Sequence, residues 1–193
     1  MKRLAVYCGS ASPSDPRYIA LAREVGETLA LRGIGVVYGG GKMGLMGALA
    51  SGALDAGGDV IGVIPEALAE CELANHDCTE LHVVETMHQR KAAFTDLSDG
   101  FITLPGGVGT MDELWEAVSW SQLGYHAMPV GLLNAFGYYD GLLEFNRKMG
   151  DIGFVRTAHR GIIIDATTIA DLLEKMTAFT PITTVLQIRP EEL

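Results

Sequence analysis

The sequence predicts an α/β chain of Rossmann-like architecture, a doubly wound parallel sheet with helices on both faces, formed as one domain over residues 1–193. Short runs rich in Val, Ile and Leu alternate with helix-length amphipathic stretches, the order expected of repeated βαβ units. The runs are continuously apolar rather than alternating, as strands buried on both faces must be. Glycine marks most of the switches between the two kinds of segment.

In chain order the strand candidates are Leu4–Cys8, Gly35–Tyr38, Val60–Ile64, Leu81–Val84, Gly100–Leu104, Pro129–Leu133 and Ile162–Ile164. The helix candidates between them are Asp15–Arg32, Leu45–Ala56, Thr86–Leu97, Met111–Gln122, Tyr139–Met149 and Ile169–Met176. The tail Thr183–Ile188 alternates like an edge strand and is a candidate for a subunit interface. No segment repeats another, and none is of low complexity.

Twenty-four acidic against fourteen basic side chains give a formal charge of −10, so the chain as a whole repels nucleic acid and anionic membrane surfaces. Any phosphate it binds must be held by local groups. The apolar run after Met1-Lys2-Arg3 ends at Gly9, too short for a signal-peptide core. No stretch approaches the roughly 18–20 apolar residues of a membrane span. Cys8, Cys71 and Cys78 are too few for a disulfide framework, which fits a reducing compartment and makes the cytoplasm the expected location. Cys71-x6-Cys78 with His76 between them matches no usual zinc spacing, and His82, His126 and His159 stand alone in the sequence, so no metal is expected.

Ligands of such a sheet bind beyond the carboxyl ends of the strands, and glycine placement locates three candidate loops there. They are Cys8-Gly9-Ser10-Ala11-Ser12, Tyr38-Gly39-Gly40-Gly41-Lys42-Met43-Gly44 and Leu104-Pro105-Gly106-Gly107-Val108-Gly109-Thr110. The first lacks the G-x-G-x-x-G of dinucleotide binders, and glycines occupy the end of the second strand where a ribose-binding carboxylate would stand. Gly41-Lys42 is not a P-loop, because Val36 and Met43 replace the first glycine and the magnesium-binding hydroxyl. The third loop leaves backbone amides open just where a helix begins, an arrangement that favours an anion.

Two readings of Glu113 stay open at this point. Thr110-x-x-Glu113 has the spacing of an ordinary capping box, whereas the preceding glycines favour a carboxylate facing a ligand. Upstream, Met87, Arg90, Lys91, Phe94 and Leu97 share one helical stripe, which puts two cations on the face that should pack. Near a helix start they oppose the dipole and call for an anion, which a phosphate in the glycine loop would supply. Met111, Trp115, Trp120 and Tyr125 read as core and interface.

Together, Met87-x-x-Arg90-Lys91 and Pro105-Gly-Gly-x-Gly-Thr-x-x-Glu113 resemble the signature pair of the Lonely Guy family, whose members are cytokinin riboside 5′-monophosphate phosphoribohydrolases often mislabelled as lysine decarboxylases. The similarity runs on through Val37–Gly41, Gly44–Gly47, Gln122–Gly124 and Pro129–Asn134. By this resemblance Arg90 and Glu113 match the catalytic arginine and glutamate. Lys91 and the loop Gly106, Gly107, Val108, Gly109, Thr110, Met111 and Asp112 match phosphate- and substrate-binding groups, and Glu72 and Ser119 match further substrate contacts. Val108 stands where plant members have Tyr, and Asp112 where members often have Glu. The resemblance implies an AMP-like nucleotide substrate, no cofactor and a homodimer whose second subunit helps to build the base end of the pocket. Rival expectations are a general nucleoside monophosphate nucleosidase, a non-catalytic nucleotide-binding protein and a lysine decarboxylase.

Overall fold

The seven apolar runs pair side by side as β1 (Arg3–Tyr7), β2 (Gly35–Tyr38), β3 (Val60–Pro65), β4 (Glu80–Val84), β5 (Phe101–Thr103), β6 (Val130–Leu133) and β7 (Ile163–Ala166) in a computed structural model that describes residues 1–69 and 73–185. The sheet order is β4-β3-β2-β1-β5-β6-β7, and every neighbouring pair is parallel. From β1 the chain steps outward to β4, then returns to lay β5 against the other side of β1. The β1–β5 junction is therefore the topological switch point, where loops diverge and leave a crevice.

Helices α1 (Arg17–Leu31), α2 (Gly44–Asp55), α3 (Glu66–Ala69), α4 (Met87–Leu97), α5 (Val108–Leu123), α6 (Asp140–Ile152) and α7 (Ile169–Thr177) complete the βαβ units. One core joins Leu4, Val6, Val36, Tyr38, Ile102 and Leu133 to α1, α2 and α7; the other joins Tyr7, Val37, Val63, Phe101 and Leu132 to α4, α5 and the start of α6. Successive residues of each central strand thus feed opposite cores, and this is why the runs carry no polar alternation. β4 departs from that pattern. As an edge strand it is incompletely covered, and Val83 is 51% exposed.

Helix α5 ends at Gly124, whose left-handed conformation (φ 99°) admits glycine readily. The chain then turns through His126. Its Nε2–H donates to the Ala117 carbonyl and its Nδ1 accepts from the Met128 amide, so the ring is neutral and joins α5 to the approach to β6. Burial lowers its pKa. The alternating tail does not extend the sheet at Thr183 and Thr184; the Thr183 carbonyl instead accepts from His159 Nε2 at 3.1 Å. Residues 186–188 of that candidate strand lie outside the described residues.

Helices α1 and α2 cross at two glycines. A Cβ at Gly26 would stand 2.1 Å from the Leu49 carbonyl oxygen, and one at Gly52 would stand 2.2 Å from that of Arg23. The obstacle in both cases is backbone, which no rotamer change relieves. Alanine at position 52 gains about 1 kcal/mol of helix propensity, but overpacking costs about 1–3 kcal/mol. Gly52→Ala should therefore lower Tm by roughly 2–6 °C in a thermal melt, and an unchanged or raised Tm would show that the crossing has slack.

Candidate active site

The glycine loops after β1, β2 and β5 meet at the switch point and enclose a crevice of about 380 Å³, within the range of small-molecule sites. Cys8, Gly9, Ser10 and Ala11 form one wall, Gly39 and Gly41 a second, and Gly107, Val108, Gly109 and Thr110 with Glu113 the third. Met46, Ile64, Leu68 and Leu73 add apolar surface, and Arg90 reaches in from α4.

Helix α5 starts at Val108 with Gly107 as its N-cap, three residues before the expected Met111. The Met111 amide donates to the Gly107 carbonyl at 3.1 Å and closes the first turn. Thr110 is therefore inside the helix, and the Thr110–Glu113 capping box expected from the spacing does not form. Gly106 is the reason. A Cβ there would lie 2.1 Å from Thr110 Oγ1, so its absence lets Thr110 fold over the loop and the helix begin early. No side chain caps α5. The amides of Val108, Gly109 and Thr110 have no intrahelical acceptor, and with the helix dipole they favour an anion. A Cβ at Gly107 or Gly109 would meet nothing within 4 Å. Glycine there serves no packing against the described residues and leaves the amides open to a ligand.

The capping box lies one helix earlier. Thr86 Oγ1 accepts from the Gln89 amide and Gln89 Oε1 accepts from the Thr86 amide, both at 3.1 Å. The Thr86-x-x-Gln89 spacing was present in the sequence to find it. This cap fixes the start of α4 and hence which residues face inward.

Arg90 is one of them, only 6% exposed. Its Nε donates to the Val63 carbonyl (3.1 Å), its Nη2 to the Gly39 carbonyl (3.4 Å), and its Nη1 lies 3.2 Å from Glu113 Oε1. The guanidinium carbon stands 5.1 Å from the centre of the Phe94 ring. Gly39 makes this possible, since a Cβ there would sit 2.1 Å from Nη2. Glu113 is as deeply placed as its partner. Burial pushes its carboxyl up to about 7, with Asp112 and Glu116 adding to the rise and the Arg90 and Lys91 charges opposing it.

Lys91 turns away from the crevice. Its Nζ lies 2.6 Å from Glu116 Oε2 and 3.3 Å from Asp112 Oδ2, and the bond to Glu116 raises its pKa despite partial burial. The two cations expected on one packing stripe thus diverge, and carboxylates of α5 compensate both. Met111 packs towards the sheet and Asp112 faces Lys91, so neither lines the crevice. Cys8 does line it, but burial, reinforced by Glu113, pushes its thiol well above the usual range. It remains protonated and a poor nucleophile. Among the described residues no group of three or more His, Cys, Asp or Glu side chains is placed to hold a metal ion, and no helix is long and apolar enough to cross a membrane.

Residues 46–176 match the family described as possible lysine decarboxylase. Cytokinin riboside 5′-monophosphate phosphoribohydrolase LOG4 of Arabidopsis thaliana is 46% identical over 93% of this chain and 83% of its own length. The chain belongs to the Lonely Guy family. A rice relative (Oryza sativa subsp. japonica), the probable cytokinin riboside 5′-monophosphate phosphoribohydrolase LOGL1, is 47% identical over 92% of this chain and 80% of its own length. Among solved structures, the molybdenum cofactor carrier protein of Chlamydomonas reinhardtii superposes with a TM-score of 0.68 at 19% identity, covering 92% of this chain and 98% of the carrier. That likeness is one of fold.

Of the positions matched to the Lonely Guy family, the structure brings together Arg90, Glu113 and Gly107–Thr110 in the crevice. Gly106 lies behind the loop, and Glu72 lies outside the described residues. Ser119 is on the exposed face of α5 beside Trp115, Gln122 and Asn146, at a separate cavity of about 200 Å³. Gly39 was among the glycines noted in the sequence, but its service to Arg90 spans 51 residues of chain and has no local signature.

Lysine at position 90 would keep the charge and leave the buried carbonyls of Val63 and Gly39 without their forked donor. Arg90→Lys should cost roughly 1–3 kcal/mol of stability by denaturant unfolding, and a variant as stable as wild type would mean those bonds contribute little. The raised pKa of Glu113 gives a second test. Folded protein holds this proton up to about 7, whereas an unfolded glutamate loses it near 4.3. Between those values the native state binds more protons, so the group's contribution to stability falls as pH rises. Glu113→Gln should become more stable relative to wild type across that window, by an amount on the order of 3 kcal/mol; a constant difference from pH 4.5 to 7.5 would refute the raised pKa.

Proposed function

We propose that this protein hydrolyses the N-glycosidic bond of an adenosine 5′-monophosphate, N6-substituted or not, to free base and ribose 5-phosphate. The observation that carries the reading is a buried carboxylate, Glu113, one helical turn beyond an uncapped helix start. The rise from Gly109 to Glu113 is about 6 Å, the scale of one pentose ring. A 5′-phosphate at the amides of Gly107–Thr110 would set the ribose against Glu113. The curated relatives LOG4 and LOGL1 carry the name of this activity, and the N6-modified substrate is the part of the reading that rests on those names.

Cleavage of the C1′–N bond develops positive charge on the ribose, which an ionised carboxylate stabilises or to which it directs water. Water adds across the broken bond: its OH goes to C1′, and its other proton ends on the departing base nitrogen. Arg90 holds Glu113 in place and favours its charged form against burial. The bonds to Val63 and Gly39 point its fork at the carboxylate rather than at solvent. Lys91, held protonated by Glu116 and Asp112, is not in the neutral state that amine chemistry with a carbonyl requires, which favours the hydrolase over a decarboxylase. Lys91 offsets the charge of Asp112 beside the binding end.

The protein is proposed to act as a cytoplasmic homodimer. Cys8 and Cys78 are free thiols, as in a reducing compartment. Ser119, matched by resemblance to a substrate-contacting position, is absent from the lining of its own chain's crevice, so a contact with substrate would be made in a neighbouring copy. Tyr125, Phe145 and Phe154 are exposed on the segments around it.

Incubation with AMP and with an N6-isopentenyl AMP should release free base and ribose 5-phosphate, and the ratio of the two rates reports the preferred base. Release of inorganic phosphate instead would mark a nucleotidase and sink the reading. Glu113→Gln should lower kcat by about 10² or more. The acid limb of kcat/KM should fall near the Glu113 value of about 7, above the second ionisation of the substrate phosphate near about 6. A limb at the phosphate value alone would remove Glu113 from the chemistry.

A further inference from the structure

Three glycines in four residues make Gly106–Gly109 a poor framework on their own, because each samples more backbone conformations than any other residue. A fixed set of amides therefore needs an external restraint. The structure holds three successive carbonyls at the start of the loop: that of Leu104 anchors the peptide to Pro105, which has no N–H, and those of Pro105 and Gly106 share their peptides with the Gly106 and Gly107 amides. Tyr139 Oη donates to the Leu104 carbonyl at 2.7 Å, the Gly9 amide to the Pro105 carbonyl at 3.2 Å, and Tyr138 Oη to the Gly106 carbonyl at 2.6 Å.

A trans peptide points its C=O and N–H in opposite directions. Drawing the Gly106 oxygen towards Tyr138 therefore aims the Gly107 N–H to the other side, where the crevice lies. The Gly107 amide donates to no group among the described residues. We propose that Tyr138 and Tyr139 are positioning residues for the proposed reaction, a hydroxyl clamp that aims the phosphate-binding amides of the Gly106–Thr110 loop without touching substrate.

The clamp is a built feature. The tyrosines sit on a turn where Phe136 adopts φ 57°, the one non-glycine residue with positive φ among the described residues, at a cost that surrounding contacts must overcome. Asn134 supplies them: its amide donates to the Ala166 carbonyl, its Oδ1 accepts from the Tyr139 amide and its Nδ2 donates to Asp140 Oδ1. Arg17 lies over the Phe136 ring at 4.7 Å, and Tyr18 meets both Phe136 and Tyr138 edge to face. The turn after β6 thus spends strain to set two adjacent hydroxyls against a loop 32 and 35 residues away in sequence.

The inference rests on the phosphoribohydrolase reading, and Tyr138→Phe tests it in the full-length protein because the half-exposed ring keeps its aromatic contacts. Loss of one hydroxyl bond should raise KM for the nucleotide and the inhibition constant of ribose 5-phosphate together, by about fivefold to tenfold, with kcat within about twofold and Tm nearly unchanged. Tyr139→Phe, which strands a buried carbonyl, should show the same rise in KM and also a lower Tm. If Tyr138→Phe binds ribose 5-phosphate as wild type does, or loses kcat at constant KM, the clamp is refuted and the reaction stands. If wild type itself neither binds ribose 5-phosphate nor releases it from a nucleotide, the reaction reading fails and takes the clamp with it.

Discussion

Arg90 and Glu113 leave water together, and the rest of the crevice is arranged around the cost of doing so. A buried ion pair repays its desolvation only when further hydrogen bonds satisfy the charges. Here the carbonyls of Val63 and Gly39 take two of the guanidinium donors, and the Phe94 ring faces it. Those carbonyls stand in the C-terminal half of β3 and just past the end of β2, so the position of one arginine depends on strand order and on the absence of a side chain at Gly39. Burial and the arginine pull the Glu113 proton in opposite directions, and burial is the larger effect. The result is a carboxyl poised near neutrality, the condition under which a single group exchanges a proton readily at the pH of the cell.

A net charge of −10 makes anion binding a local problem. On the proposed reading, the phosphate is held without free cations. Arg90 is committed to Glu113 and Lys91 to Glu116 and Asp112, which leaves the uncapped start of α5 as the positive end of the crevice. An amide array carries partial charges that need no counterion, so the same few residues offer an anion site and a nearby carboxylate without neutralising each other. The likeness to molybdenum cofactor carriers at 19% identity shows how far this sheet can be shared while side chains change.

Much of the architecture was legible in the chain. Continuous apolar runs separated by amphipathic stretches determined the parallel sheet and the number of its strands, because burial on both faces removes polar alternation. The glycine loops indicated where the crevice would open, since strand ends and helix starts carry that information locally. The resemblance of Met87–Lys91 and Pro105–Glu113 to the Lonely Guy signature pointed to Arg90 and Glu113, which the fold brings into contact. Edge exposure at β4 was not visible, because strand order is not written in any one strand.

What only the tertiary structure decided is the partner of each side chain. The spacing of Thr110 and Glu113 fitted a capping box, and helix propensity alone could not reject it. The missing Cβ of Gly106 lets the helix start earlier and turns Glu113 towards Arg90 instead. Arg90 and Lys91 are neighbours in sequence and share a helix face by periodicity, yet one enters the crevice and the other joins the carboxylates of α5. Sequence by itself determines periodicity, charge and backbone freedom, which act over a few residues. Burial, pKa and hydrogen-bond partners arise from groups tens of residues apart, and they acquire values only once the sheet has brought those groups together.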